Sequence, residues 1–329
     1  MPTPFQNALV FTGPTGSGKT KLAIELAQRL DAEIVSMDSM ALYRRMDIGT
    51  AKPTQAERAL APHHLLDVLE PWESASVAWW LDEAKKCCAA IESRGKQVLI
   101  VGGTPLYLKA LLCGLFDGPP ADDAIRQRLR HEAELLGPAA LHRRLTALDP
   151  LSAQRIHPND VRRMIRALEV QELTGRPLSA WQTQWGADSG RQASGSGQRS
   201  GHGDKPDSAS LLPAILWLDI PRDELYARID RRVEMMFASG LVEEARRLRG
   251  LEMPLSKEAE KAVGYQEIFD MLDGKATLDK TITLVQMRSR NLAKRQITWF
   301  RHLPDCQPAT KELTWSLLQS KMKQKRGLS

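Results

Sequence analysis

The chain has 329 residues, 42% hydrophobic and 26% charged, which is the make-up of a globular enzyme with room for one large domain or for a core carrying an insertion. A net charge of +6 permits a polyanionic partner without demanding one. No apolar run reaches membrane-spanning length and no leader pattern opens the chain. The four cysteines (Cys87, Cys88, Cys113, Cys306) lack zinc-site spacing, so a cytoplasmic protein with reduced, mostly buried thiols is expected.

The first element is the apolar strand Ala8 to Thr12. It runs into Gly13-Pro14-Thr15-Gly16-Ser17-Gly18-Lys19-Thr20, and then Leu22, Ala23, Leu26 and Ala27 follow at helical spacing. Strand, glycine loop and helix start in that order form a P-loop. Glycines let successive amides turn inward, and the helix N-terminus adds partial positive charge. Lys19 supplies a mobile cation for the outer phosphates, and the Thr20 hydroxyl is placed to ligate Mg²⁺. Such a loop binds linked phosphates; alone it does not say whose.

A second buried strand, Glu33 to Ser36, ends at Met37-Asp38-Ser39-Met40, and an Asp just past a strand sits at the ligand edge of an α/β sheet. Leu42 to Pro53 is too irregular for one helix, and His63-His64-Leu65-Leu66-Asp67 reads as another strand edge. A helix follows from Ser76 to Ser93, with Trp79 and Trp80 as packing residues. Gln97 to Val101 is a buried strand running into Gly102-Gly103-Thr104-Pro105. This alternation implies a doubly wound, mostly parallel sheet.

From Asp117 the pattern becomes helical, without a strand candidate up to Trp185, and its many arginines are nearly balanced by acids. Gly186 to Ser210 is Gly/Ser-rich and reads as a flexible linker. Strand character returns at Ala214 to Asp219. The fold class expected is therefore α/β: a P-loop NTPase-like core (1–117 and 207–329) with an all-helical insertion (118–206). The last third is expected to be helical, over Glu224 to Ala238, Leu241 to Leu248, a helix opening at Ala262 to Glu267, and Leu284 to His302. From Arg288 to Arg301 there are five basic residues and no acid, which favours nucleic acid as the partner.

Several strings together resemble the bacterial tRNA dimethylallyltransferase (tRNA isopentenyltransferase) family. They are the loop from Gly13 to Thr20; Asp38-Ser39-Met40 with Tyr43 and Met46 to Pro53; His63-His64-Leu65; and Val101 to Thr104 with Leu106-Tyr107. Further on come Asn159-Asp160 with Arg163 and Arg166 to Val170, Gly240 to Glu244, Ala262 to Tyr265, and Ala293 to Arg301. They run in the family's order over residues 8 to 302, and the Asp38–Pro53 and Lys294–Arg301 strings are the most specific.

The resemblance implies transfer of a five-carbon prenyl group from dimethylallyl diphosphate to the exocyclic amino group of the adenine 3′ of the anticodon in tRNA. The P-loop would then hold a leaving diphosphate, with Mg²⁺ on Thr20 as cofactor. Asp38 is the expected general base, orienting the amine and taking its proton, with a helix-capping role as the alternative. Thr104 is expected at the active site, and Arg228 or Arg232 near the diphosphate; which of the two makes the contact stays open. The positions matching the family's tRNA contacts are Asp38, Ser39, Met40, Ala41, Thr104 and Arg126; Arg162, Arg163, Met164, Ile165 and Arg166; Lys261, Gly264, Tyr265 and Gln266; and Arg288, Arg290, Lys294 and Arg295. The target base must leave the anticodon stack to reach them, and the helical insertion is expected to close over the loop.

The chain departs from the family at Ala41, Arg45, Arg288 and Ser289, and at Gly16, where the family often has Ala and where no chemical change is expected. No zinc-finger extension is expected after residue 302, and a monomer is the default. The competing reading is a P-loop nucleotide or metabolite kinase using ATP. Leu216 to Pro221 followed by Leu225 and Arg228 suits that reading too, but it has no use for the basic Arg288–Arg301 helix.

Overall fold

The computed structural model describes residues 5–115, 118–181, 214–303 and 306–326. The segment expected to be flexible, 186–210, lies outside the described residues. Two compact units emerge: residues 1–112 with 204–329, and residues 113–203.

The first unit is built on a six-stranded sheet in the order β3-β2-β4-β1-β5-β6, with every ladder parallel. The strands are β1 (Leu9–Thr12), β2 (Ala32–Ser36), β3 (His63–His64), β4 (Gln97–Gly102), β5 (Ala214–Leu218) and β6 (Cys306–Ala309). β1, β2 and β4 are wholly or almost wholly buried, as their unbroken apolar runs require in a sheet covered on both faces. Helices α1 (Lys19–Leu30) and α15 (Lys311–Arg326) pack on the face carrying Leu9, Phe11, Leu99, Val101, Leu216 and Leu218. The alternate residues point the other way. There Trp217 meets Phe300 of α14 (Leu278–His302) with ring centres 6.0 Å apart.

β1 sits between β4 and β5, and its chain leaves toward β2 on one side while β5 adds on the other. This is the topological switch point, so the ends of β1, β2 and β4 form the crevice where such sheets bind ligands. α3 (Val77–Ser93) is capped by the Ser76 hydroxyl, which accepts the Trp79 N–H at 3.1 Å. Trp80 is fully buried, donates to Ser36 O at 3.0 Å and stacks on Tyr107 of α4 (Pro105–Cys113).

Two expectations need correction. The last third is not all helical, because β6 adds a sixth strand; Pro308 is tolerated there because the strand lies at the sheet edge. Of the four cysteines only Cys88 is fully buried.

The second unit holds α5 (Asp123–Leu136), α6 (Pro138–Leu148), α7 (Pro150–Arg155), α8 (Val161–Thr174) and α9 (Leu178–Trp181) around a core that includes Leu129, Leu141, Leu145, Met164 and Leu168. Asp122, Asp149 and Asp160 each cap a helix by accepting an amide three residues on.

Candidate active site

Between β1 and α1, the loop turns through Gly16 at φ 82° and Gly18 at φ 83°, conformations that favour glycine. Gly18 precedes the first helical residue, so Lys19 and Thr20 open α1. An alanine at Gly16 would place its Cβ 2.5 Å from Ile229 Cγ1, so the glycine is a packing requirement in this chain.

Polar groups converge on this loop from α10 (Arg222–Ala238) and α14. Arg228 donates to Ser17 O at 3.2 Å, and Arg232 donates to Thr15 Oγ1 at 2.5 Å. Both arginines thus reach the P-loop, but their surroundings differ. Arg228 also pairs with Glu224 and is about half exposed, whereas Arg232 Nε is buried without a hydrogen-bond partner among the described residues. Ser17 Oγ is likewise buried without a partner. Burial pushes the Lys19 ammonium down from 10.5 to about 8; the Asp38 carboxylate opposes that shift and Arg232 adds to it. Lys19 has one distant acceptor, Pro14 O at 3.5 Å. Buried donors held in this way without an acceptor cost free energy, and a bound polyanion repays it.

Asp38, Ser39 and Thr104 lie together at the ends of β2 and β4. Thr104 N–H donates to Met37 O at 3.2 Å, and Thr104 Oγ1 accepts the Ser39 N–H at 3.0 Å. A Cβ at Gly102 would stand 2.0 Å from Met37 O, so only glycine lets the two strand ends approach this closely. Asp38 Oδ1 accepts the Met40 N–H at 2.9 Å, a turn that fixes the carboxylate. It caps no helix, which removes the alternative reading of that residue. Thr20 Oγ1 makes no hydrogen bond among the described residues and remains open to a cation.

The residues matched to tRNA contacts sort by accessibility. Lys261, Lys294 and Arg295 are exposed, as are Arg162 and Arg163 on α8. Arg288 pairs with Glu267 and donates to Gln266 Oε1, and Arg290 pairs with Asp230. In the helical unit, Arg126 and Arg166 both pair with Glu169, whose carboxylate is fully buried. Met164 and Ile165 are core residues of the helical unit, Ala41 is buried, and Tyr265 is buried with its hydroxyl donating to Glu244 at 2.7 Å.

Two residues were given no role by the sequence and stand out in the structure. Glu244 of α11 (Leu241–Arg249) accepts the backbone N–H groups of Asp47, Ile48 and Gly49 at 3.0–3.1 Å. Gln296 of α14 accepts the Thr15 N–H at 2.8 Å and donates to Gly103 O at 2.6 Å. The available signal for Gln296 was its spacing: it falls on the buried stripe Val285, Ser289, Ala293, Gln296, Phe300, where a polar side chain must find partners.

Known proteins resemble this chain in sequence and in fold. Residues 41–303 match the family described as IPP transferase, and residues 6–62 match isopentenyl transferase. A tRNA dimethylallyltransferase of Geobacter metallireducens is 44% identical over 293 residues, covering 89% of both chains. One from Geobacillus kaustophilus is 44% identical over 302 residues, covering 90% of this chain and 88% of the relative. Among solved structures, the full-length tRNA isopentenylpyrophosphate transferase of Bacillus halodurans superposes with a TM-score of 0.66 at 36% identity, covering 98% of this chain and 99% of that one. A eukaryotic dimethylallyltransferase acting on tRNA gives 0.71 at 26% identity, covering 96% and 77%. With the family match spanning most of its length, this chain belongs to the IPP transferase family.

Proposed function

We propose that the enzyme transfers a dimethylallyl group from dimethylallyl diphosphate to the exocyclic amino group of the adenine 3′-adjacent to the anticodon in tRNA, releasing diphosphate. The observation that carries this reading is the set of donors at the P-loop: Ser17 Oγ and Arg232 Nε are buried without a partner among the described residues, the Lys19 ammonium has only the distant Pro14 O, and the Asp38 carboxylate acts on both Lys19 and Arg232. The donors stabilise the charge that grows on diphosphate as the bond from its oxygen to the allylic carbon breaks. The adenine nitrogen forms its bond to that carbon and gives up a proton to Asp38 Oδ2, while Oδ1 stays on the Met40 amide. Thr104 holds Ser39 in place beside the base.

Thr20, with its free hydroxyl at the start of α1, fits Mg²⁺, which would neutralise diphosphate charge when bound. The exposed Lys294, Arg295, Lys261, Arg162 and Arg163 are assigned to the tRNA backbone, with the helical unit as the part that grips the anticodon arm. Family membership sets aside the kinase reading. A calorimetric titration with Mg²⁺ checks the donor: dimethylallyl diphosphate should bind, and ATP binding in its place would reverse the assignment.

A further inference from the structure

The side-chain amide of Gln296 spans two segments that the proposed chemistry must keep in register. Its Oε1 accepts from Thr15 N in the phosphate loop, and its Nε2 donates to Gly103 O, one residue before Thr104. The orientation of the amide is chemically determined, because a backbone N–H only donates and a carbonyl only accepts. Gln296 is buried, and a Cβ at Gly103 would stand 2.7 Å from its Nε2, so the amide is pressed against the backbone of Gly103. Arg232 grips the hydroxyl of the same Thr15 from α10. The loop is therefore fixed from two helices, and through Gly103 and Thr104 the same amide is tied to Ser39 and Asp38. A further consequence is that the Thr15 N–H is already occupied and is not among the amides offered to diphosphate.

We propose that Gln296 is a positioning residue that sets the distance between the held diphosphate and the acceptor side of the site, so that the allylic carbon faces the adenine nitrogen and not water. This rests on the transferase reading above. When that alignment is loosened, water captures the carbon: the carbon–oxygen bond breaks with its electron pair going to diphosphate, the water oxygen bonds to the carbon and loses a proton, and dimethylallyl alcohol results. A displacement of about 1 Å costs roughly a hundredfold in rate.

The test is steady-state transfer by the full chain with Mg²⁺, tRNA and labelled dimethylallyl diphosphate, counting both prenylated tRNA and dimethylallyl alcohol. It is run for wild type, for Gln296→Met, which keeps the volume and removes both hydrogen bonds, and for Gln296→Asn, which is too short to span both partners. The expected result is a fall in kcat of about a hundredfold with KM for the donor changed far less, and a higher ratio of alcohol to prenylated tRNA. Gln296→Asn supplies the same readout if Gln296→Met does not fold. An unchanged ratio, or a rate loss matched by the unfolded fraction, overturns the inference while leaving the function intact. A wild-type protein that prenylates no tRNA overturns the function and this inference with it.

Discussion

Tyr265 packs against the backbone of Gly49: a Cβ at position 49 would meet the ring carbons Cε2 and Cζ at 2.6 Å. The Tyr265 hydroxyl donates to Glu244, whose carboxylate also holds the amides of Asp47, Ile48 and Gly49. One buried carboxylate thus pins the 47–49 turn to α11 and to α13 (Tyr265–Leu272). Glu244→Ala strands the buried Tyr265 hydroxyl and three part-buried amides, at up to about 1–3 kcal/mol each, and should be the most destabilising change here. Gly49→Ala forces the ring aside at about 1–3 kcal/mol, and Tyr265→Phe costs about 1 kcal/mol. Urea unfolding measures the order, and a Gly49→Ala variant as stable as wild type would contradict the contact.

Arg228 and Arg232 are equivalent in sequence, one helical turn apart, yet they should behave differently. Arg232 carries a buried, unpartnered Nε beside the loop, whereas Arg228 is paired with Glu224 in solvent. Arg232→Gln is expected to raise KM for dimethylallyl diphosphate by about a hundredfold, the scale of a lost buried charge-assisted contact. Arg228→Gln should change it by about fivefold or less. Equal effects in a kinetic comparison would contradict this division.

Asp38→Asn keeps the shape of the side chain and removes its basicity. Transfer should fall by about 10²–10⁴-fold, the usual contribution of a general base, with tRNA affinity nearly unchanged. A gel-shift titration beside the rate assay separates the two; full activity in the variant would take Asp38 out of the mechanism.

Glu169 gives the helical unit a defined acid response. Burial by itself would raise its pKa, but the bonds from Arg166, the Asp122 amide and Arg126 outweigh it and hold the carboxyl below its usual 4.5. A lowered folded pKa means that the unfolded state takes up the proton first. The stabilisation is therefore complete above about pH 4.5 and is lost as pH falls through the folded value. Glu169→Gln should destabilise the unit at neutral pH and flatten its stability profile below pH 4.5, measured by circular dichroism at several urea concentrations; a wild-type profile in the variant would contradict this.

Much of this architecture was legible in the sequence, because it follows from local physics. The P-loop needs glycines between a strand and a helix, β1, β2 and β4 are unbroken apolar runs, and Ser76 announces α3. What was hidden depends on the third dimension. β6 is short, half exposed and contains Pro308, so it carries no strand signal until β5 lies beside it. Glu244 reads as one more charge among Glu243, Arg246 and Arg247, and only the fold shows it buried over three amides. Met164 and Ile165 sit between arginines in a matching string, yet helical periodicity turns them inward while Arg162 and Arg163 face out.

The central claim is tested most directly by incubating the purified chain with Mg²⁺, unmodified tRNA and dimethylallyl diphosphate labelled in the allyl group, then locating the label by nuclease digestion and mass spectrometry. The account predicts one dimethylallyl group on the amino nitrogen of the adenine 3′ of the anticodon for each diphosphate released. Intact tRNA together with phosphoryl transfer from ATP to a small acceptor would contradict it.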